Sequence, residues 1–144
     1  MASVKWSELF RWSLVEVEFG TQKKYIECDL GCVDVRNRYY HGINADNEFS
    51  SRHMAIVISK HIRNNTVTVL PLTEASQDDK RNTNVLILEQ KDYRYFLHKD
   101  TKVLTDHPLT IDKKARIKKI KMQYIPLPLR RKIVRKLYEN FKMK

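Results

Sequence analysis

Two residues with complementary chemistry are brought together by the strongest local pattern in the chain. Glu48-Phe-Ser-Ser-Arg-His53 leads into Met54-Ala-Ile-Val-Ile58, and Thr66-Val-Thr-Val-Leu-Pro-Leu-Thr73 follows. Five consecutive apolar residues predict a strand buried on both faces. Asn64-Asn65 is a turn signal, so the two runs are expected to pair as antiparallel neighbours. That pairing sets Arg52, entering the first strand, near Thr73, leaving the second. A planar guanidinium beside a hydroxyl makes an anion site, because its N–H fork matches phosphate oxygens. Plainer readings stay open: a surface salt bridge between Arg52 and Glu48, and a strand-end cap for Thr73.

The charge distribution points to a polyanion. Net charge is +11 in 144 residues. Residues 113–144 hold 13 Lys and Arg against one acid, whereas residues 1–112 hold 15 against 16. Such asymmetry favours nucleic acid or an acidic protein over a merely solvated face. No apolar run approaches membrane-spanning length, and Glu8, Glu16 and Glu18 interrupt the N-terminal apolar residues, which argues against a secretory signal. A cytoplasmic protein is expected. Cys28 and Cys32 form a lone C-x-x-x-C without a second pair, so they read as ordinary reduced cysteines; no metal or cofactor is expected.

The elements that position the hairpin follow from periodicity. Residues 3–19 read as an amphipathic helix, or a helix followed by a strand, with Trp6, Leu9, Phe10 and Leu14 at helical spacing and Val15–Phe19 alternating. Trp6 and Trp12 read as aromatic anchors of that helix, with base stacking as the other reading. Gly31–Arg36 alternates as a strand opening the main domain. Residues 37–51 form a long polar loop bearing Tyr39, Tyr40, His41 and Phe49, which suit either base stacking or packing as a lid. A second polar loop spans Glu74–Thr83. Strands are expected at 85–88, 101–106 and 116–122, the last with Ile117, Ile120 and Met122 toward a core. Pro128 suits the first turn of a terminal helix whose Leu129, Ile133, Val134, Leu137, Tyr138 and Phe141 share one face. The sum is a small antiparallel, barrel-like β domain with helices at its ends.

In this order the pieces resemble the MazF/PemK (Kid) toxins of type II toxin–antitoxin systems. The resemblance rests on Gly31–Val35, Glu48 and Arg52, Ala55–Ser59, Pro71-Leu-Thr73, Asp106-His-Pro-Leu-Thr-Ile-Asp112, a basic strand and a Pro-led helix. His53 stands where the family usually has proline, and Leu104 where some members carry arginine. The resemblance implies a mainly β, SH3-like antiparallel barrel with N- and C-terminal helices: an extension over residues 1–30 and a toxin domain over 31–144. It implies a metal-independent endoribonuclease that cuts single-stranded mRNA, acts as a homodimer and is neutralised by an acidic antitoxin. Arg52 and Thr73 fall on the family's catalytic pair, and Asp106 on an aspartate proposed as base. His53 and His107 are further base candidates, since imidazole titrates near neutrality. Glu48, Ser51, Lys80 and Arg81 are the expected RNA contacts. Two alternatives remain: a catalytically inactive basic barrel that binds nucleic acid or a partner, and a gyrase-directed toxin of the same fold.

Overall fold

The computed structural model describes residues 4–22, 43–44, 51–60 and 65–142. Within them the chain is mainly β. The strands are β1 (Leu14–Glu18), β2 (Thr21–Gln22), β3 (Ile43–Asn44), β4 (Arg52–Lys60), β5 (Thr66–Glu74), β6 (Leu86–Leu88), β7 (Thr101–Val103), β8 (Leu109–Asp112) and β9 (Ile117–Lys121). The helices are a single turn, α1 (Lys113–Arg116), and the long α2 (Leu127–Phe141). Seven strands form an antiparallel sheet in the order β6-β7-β5-β4-β1-β9, with β8 also on β5; β2 and β3 make a small parallel pair.

The predicted hairpin is the centre of this sheet. β4 and β5 pair with Ala55 opposite Pro71, Ile56 opposite Leu70 and Val57 opposite Val69. Alternate side chains of one strand point to opposite faces, and here both faces are covered. Ala55, Val57, Val67 and Val69 join Val15, Val17 and Ile117 in one core. Ile56, Leu70 and Leu72 join Leu14, Val103 and the α2 residues Leu129 and Ile133 in another. Two-sided burial explains why β4 reads as continuous rather than alternating apolar sequence.

β5 takes two further partners besides β4. One edge of its first half pairs with β8, from Thr66 opposite Asp112 to Val69 opposite Leu109. The same edge of its second half pairs with β7, from Leu72 opposite Val103 to Glu74 opposite Thr101. The strands β8, β5, β4, β1 and β9 wrap the first core, to which β8 contributes Leu109 and Ile111 and β9 contributes Ile117 and Ile120. Closure of the expected SH3-like barrel is the point that needs correcting. No β8–β9 ladder forms among the described residues; the two strands are joined by a single helical turn that Asp112 caps, its Oδ1 accepting from Ala115 N at 2.8 Å.

Two local expectations also change. The N-terminal helix is only one 3-10 turn, Trp6–Glu8. Phe10 N donates to Ser13 Oγ, and Trp12 N donates to the Val57 carbonyl at 2.6 Å, so the strand edge of β4 takes the chain before a helix can extend. Met122, expected to face a core, is 84% exposed. β9 ends at Lys121, so the strand's alternation does not extend to Met122. The terminal helix is as expected, with Pro128 in its first turn, Leu129 and Ile133 buried and Leu137 packed against the core. Val134, Tyr138 and Phe141, on the same predicted face, lie in solvent. The strand expected at 31–36 lies outside the described residues, as do both cysteines, Glu48 and the aromatic loop residues. The strand paired with β4 on the edge away from β5 is β1, from residues read as an N-terminal extension.

Candidate active site

The site arises where β4 and β5 part company. Their pairing runs to Ala55 opposite Pro71. Beyond it β4 continues against β1, with Val17 opposite His53 and Glu18 opposite Arg52, while β5 continues against β7. A cavity of about 340 Å³ opens in this fork. Arg52, His53, Met54, Leu72, Thr73 and Glu74 line it from the two strands, and His98, Lys99 and Thr101 from the approach to β7 and its first residue.

Arg52 is held by an ion pair with β1. Arg52 Nη2 donates to Glu16 Oε2 on β1 at 3.0 Å, with the Arg52 side chain 55% exposed. Lys121 Nζ sits 3.5 Å from the other oxygen of the same carboxylate. Burial would raise the Glu16 carboxyl pKa, but the hydrogen bond from Arg52 and the charges of Lys121 and Arg52 outweigh it and lower it overall. Among the described residues Glu16 is the carboxylate partner of Arg52; Glu48 lies outside them. An exposed pair contributes only about 0–1 kcal/mol, so its effect is to aim the guanidinium, which retains most of its five N–H donors. Directly before Arg52, Ser51 has φ 71°, a left-handed conformation unusual outside glycine. Its N–H donates to the Gly20 carbonyl at 2.7 Å and its carbonyl accepts from Phe19 N at 2.9 Å. These bonds bend the chain into β4 at the residue that opens the cavity.

His53 is half-buried with its ring 6.4 Å from that of Phe19. His98 carried no signal in the sequence, lying in a polar stretch between elements. Its place at the fork comes from contacts across the chain. Ala75 N donates to the Asp100 carbonyl, and Lys99 Nζ lies 3.0 Å from Glu74 Oε2, drawing residues 98–100 over the end of β5.

The other expected site residues separate. Lys80 and Arg81 are exposed on a 3-10 turn, Asp78–Arg81, outside the cavity wall. Asp79 anchors that turn, accepting from Ser76 N at 2.7 Å, Ser76 Oγ at 2.8 Å and Lys102 Nζ at 2.9 Å. The Ser76 N–H first, and then Lys102, push the Asp79 carboxyl down to about 2. Lys102 is the cross-strand neighbour of Thr73, so the basic turn is tied to the strand pair that carries Thr73. Asp106 and His107 are exposed on the corner after β7 and outside the fork. Leu104 N donates to the Pro71 carbonyl and the chain then turns, with His107 N donating to the Leu104 carbonyl. The corner therefore lies beyond Pro71, on the far side of the split from Arg52. Among the described residues no group of three or more His, Cys, Asp or Glu forms a cluster that could hold a metal ion.

Residues 39–141 match the family model of the PemK-like, MazF-like toxins of type II toxin–antitoxin systems. The chain belongs to this family. Its fold, an antiparallel sheet with one long C-terminal helix, is consistent with the MazF/PemK fold. A search of curated proteins finds no match to the chain. PemK/MazF toxins are generally ribonucleases, and membership implies an antitoxin partner. The match takes in the whole fork, since Arg52, His53, Thr73 and His98 all fall inside it.

Proposed function

We propose that this toxin is a metal-independent endoribonuclease that cuts single-stranded mRNA in the fork between β4 and β5. The observation that carries this reading is the meeting of Arg52, His53, Thr73 and His98 on one cavity wall. Cleavage starts with attack of the substrate's 2′-oxygen on the adjacent phosphorus. The 2′-OH proton passes to a base, the P–O5′ bond breaks, and the leaving 5′-oxygen takes a proton. The products are a 2′,3′-cyclic phosphate and a 5′-hydroxyl end. Arg52, charged at every relevant pH, stabilises the phosphorane oxygens. Thr73 hydrogen-bonds a phosphate oxygen or the 2′-OH. His53 and His98 are the base and acid of the fork. Within one chain Asp106 and His107 stand apart from the fork, and they serve it only if a second copy presents its corner there.

Lys80 and Arg81 extend the phosphate track beside Thr73. The acidic antitoxin meets α2, where exposed Val134, Tyr138 and Phe141 run beside Arg131, Lys132 and Arg135; a homodimer and a cytoplasmic site of action complete the reading. The toxin unit begins at β1, because β1 lies between β4 and β9 and contributes Glu16 to the site. The test is incubation of the purified protein with a long single-stranded RNA in EDTA, with the ends mapped. Discrete cuts leaving 5′-hydroxyl ends support the nuclease. Salt-sensitive RNA binding without cuts supports a binding module instead.

A further inference from the structure

A second cavity, also about 340 Å³, lies beside the N-terminal turn and the start of α2. It has the ingredients of a nucleobase site. Arg130 brings its guanidinium carbon to 4.6 Å from the Tyr124 ring centroid and 5.9 Å from that of Trp12, and its Nε donates to the Ile125 carbonyl at 2.7 Å. The guanidinium is thus fixed against two aromatic rings, of which Tyr124 is 65% exposed. Phe10, across the same cavity, is 64% exposed. Aromatic and guanidinium faces left open to solvent are stacking surfaces for unpaired bases.

Three further observations make the cavity more than an apolar patch. Gln123 lines it, and its Oε1 is buried with no hydrogen-bond partner; a rotation of the side chain toward the cavity would pair that acceptor with an exocyclic amine or ring N–H of a base. Its charged wall carries Arg11, Lys121 and Arg130 against a single acid, Glu8, which suits a strand with a phosphate backbone. Trp12 has φ 73°, and with Ser51 it makes up the non-glycine positive-φ residues among those described. One of these left-handed residues borders each cavity. Backbone held in such a conformation concentrates at binding sites.

The two cavities are linked by one carboxylate. Glu16 receives Arg52 of the fork on one oxygen and has Lys121 of the second cavity near the other. We infer that the Trp12–Tyr124–Arg130 cavity binds a base of the same single-stranded RNA whose phosphate lies in the fork, with Gln123 reading that base by a hydrogen bond. The inference rests on the nuclease reading for the identity of the strand, and it supplies a specificity site at a distance from the reacting bond.

The test measures binding of a labelled oligonucleotide of about eight nucleotides built with 2′-O-methyl riboses, which removes the nucleophile. A second probe of the same length is abasic. Tyr124→Ala should weaken binding of the base-bearing probe by about tenfold, the loss of one base–aromatic stack, and leave the abasic probe within about twofold. Gln123→Ala should change the preference among bases. In Trp6→Phe protein, where Trp12 is the remaining tryptophan, only the base-bearing probe should quench fluorescence. Equal loss on both probes, no loss on either, or a loss explained by a changed oligomeric state in sedimentation would overturn the inference. Thermal melting of each variant guards against misfolding. Cleavage of unmodified RNA is measured alongside. RNA cut normally by Tyr124→Ala, with unchanged binding, removes only this site, whereas base-dependent binding without any cleavage removes the nuclease and leaves the base site standing.

Discussion

The fork at Arg52 and the corner at Asp106 both contain residue types suited to acid–base chemistry on phosphate, and both fall in the stretches that resemble the family. They differ in what surrounds them. The fork is a cavity whose walls come from three separate parts of the chain, with Arg52 fixed by Glu16 and His98 brought in over the end of β5. The corner is an exposed turn closed by the local bond from His107 N to the Leu104 carbonyl. A phosphate entering the fork meets several groups at once, whereas one reaching the corner meets solvent on most sides. Residue type and order are therefore insufficient to define a site; convergence of walls decides it.

Substitutions test that difference most strongly at Arg52. Arg52→Ala should lower the cleavage rate about 10²- to 10³-fold, the usual effect of losing a donor to developing charge, as measured in single-turnover assays. Thr73→Val should follow with a loss of about 10- to 100-fold, since one hydrogen bond to a charged oxygen is removed. Lys80→Ala with Arg81→Ala should leave the chemical step nearly intact. It should flatten the dependence of log K on log salt by about 1.4, two contacts on a single strand. Asp106→Ala should change cleavage by less than about threefold. A loss as large as that of Arg52→Ala, recovered on mixing the two variants, would show instead that the corner of one copy completes the fork of another.

Acid stability sharpens the comparison from another side. The folded Asp79 carboxyl is held at about 2, below its ordinary 3.8. Its contribution is complete above the unfolded value and disappears as pH falls through the folded one. Wild type should therefore lose stability relative to Asp79→Asn between about pH 4 and pH 2. Circular dichroism across that window measures it. Glu16, also lowered, contributes in the same direction below its ordinary carboxylate range.

How much of this was legible in the sequence depends on whether a contact is local. The β4–β5 hairpin announced itself through five consecutive apolar residues and an Asn turn, and its register then brought Arg52 and Thr73 to one cavity. Pro128 and the apolar face of α2 were equally readable. The N-terminal residues misled because Trp6, Leu9, Phe10 and Leu14 do have helical spacing, but hydrogen bonds to β4 overrode local preference. His98, Glu16 and Gln123 were missed for one reason. Each acquires its role from a neighbour far away in sequence, across a ladder or a loop that no periodicity encodes.

The central claim is that RNA is cut at the fork by a machinery that needs Arg52. Its most direct test compares wild type and Arg52→Ala for single-turnover cleavage of one single-stranded RNA in EDTA, together with the affinity for an uncleavable analogue. Cleavage should fall at least about 100-fold while affinity changes by less than about tenfold. Cleavage by Arg52→Ala at the wild-type rate, with the same cut positions, would contradict it.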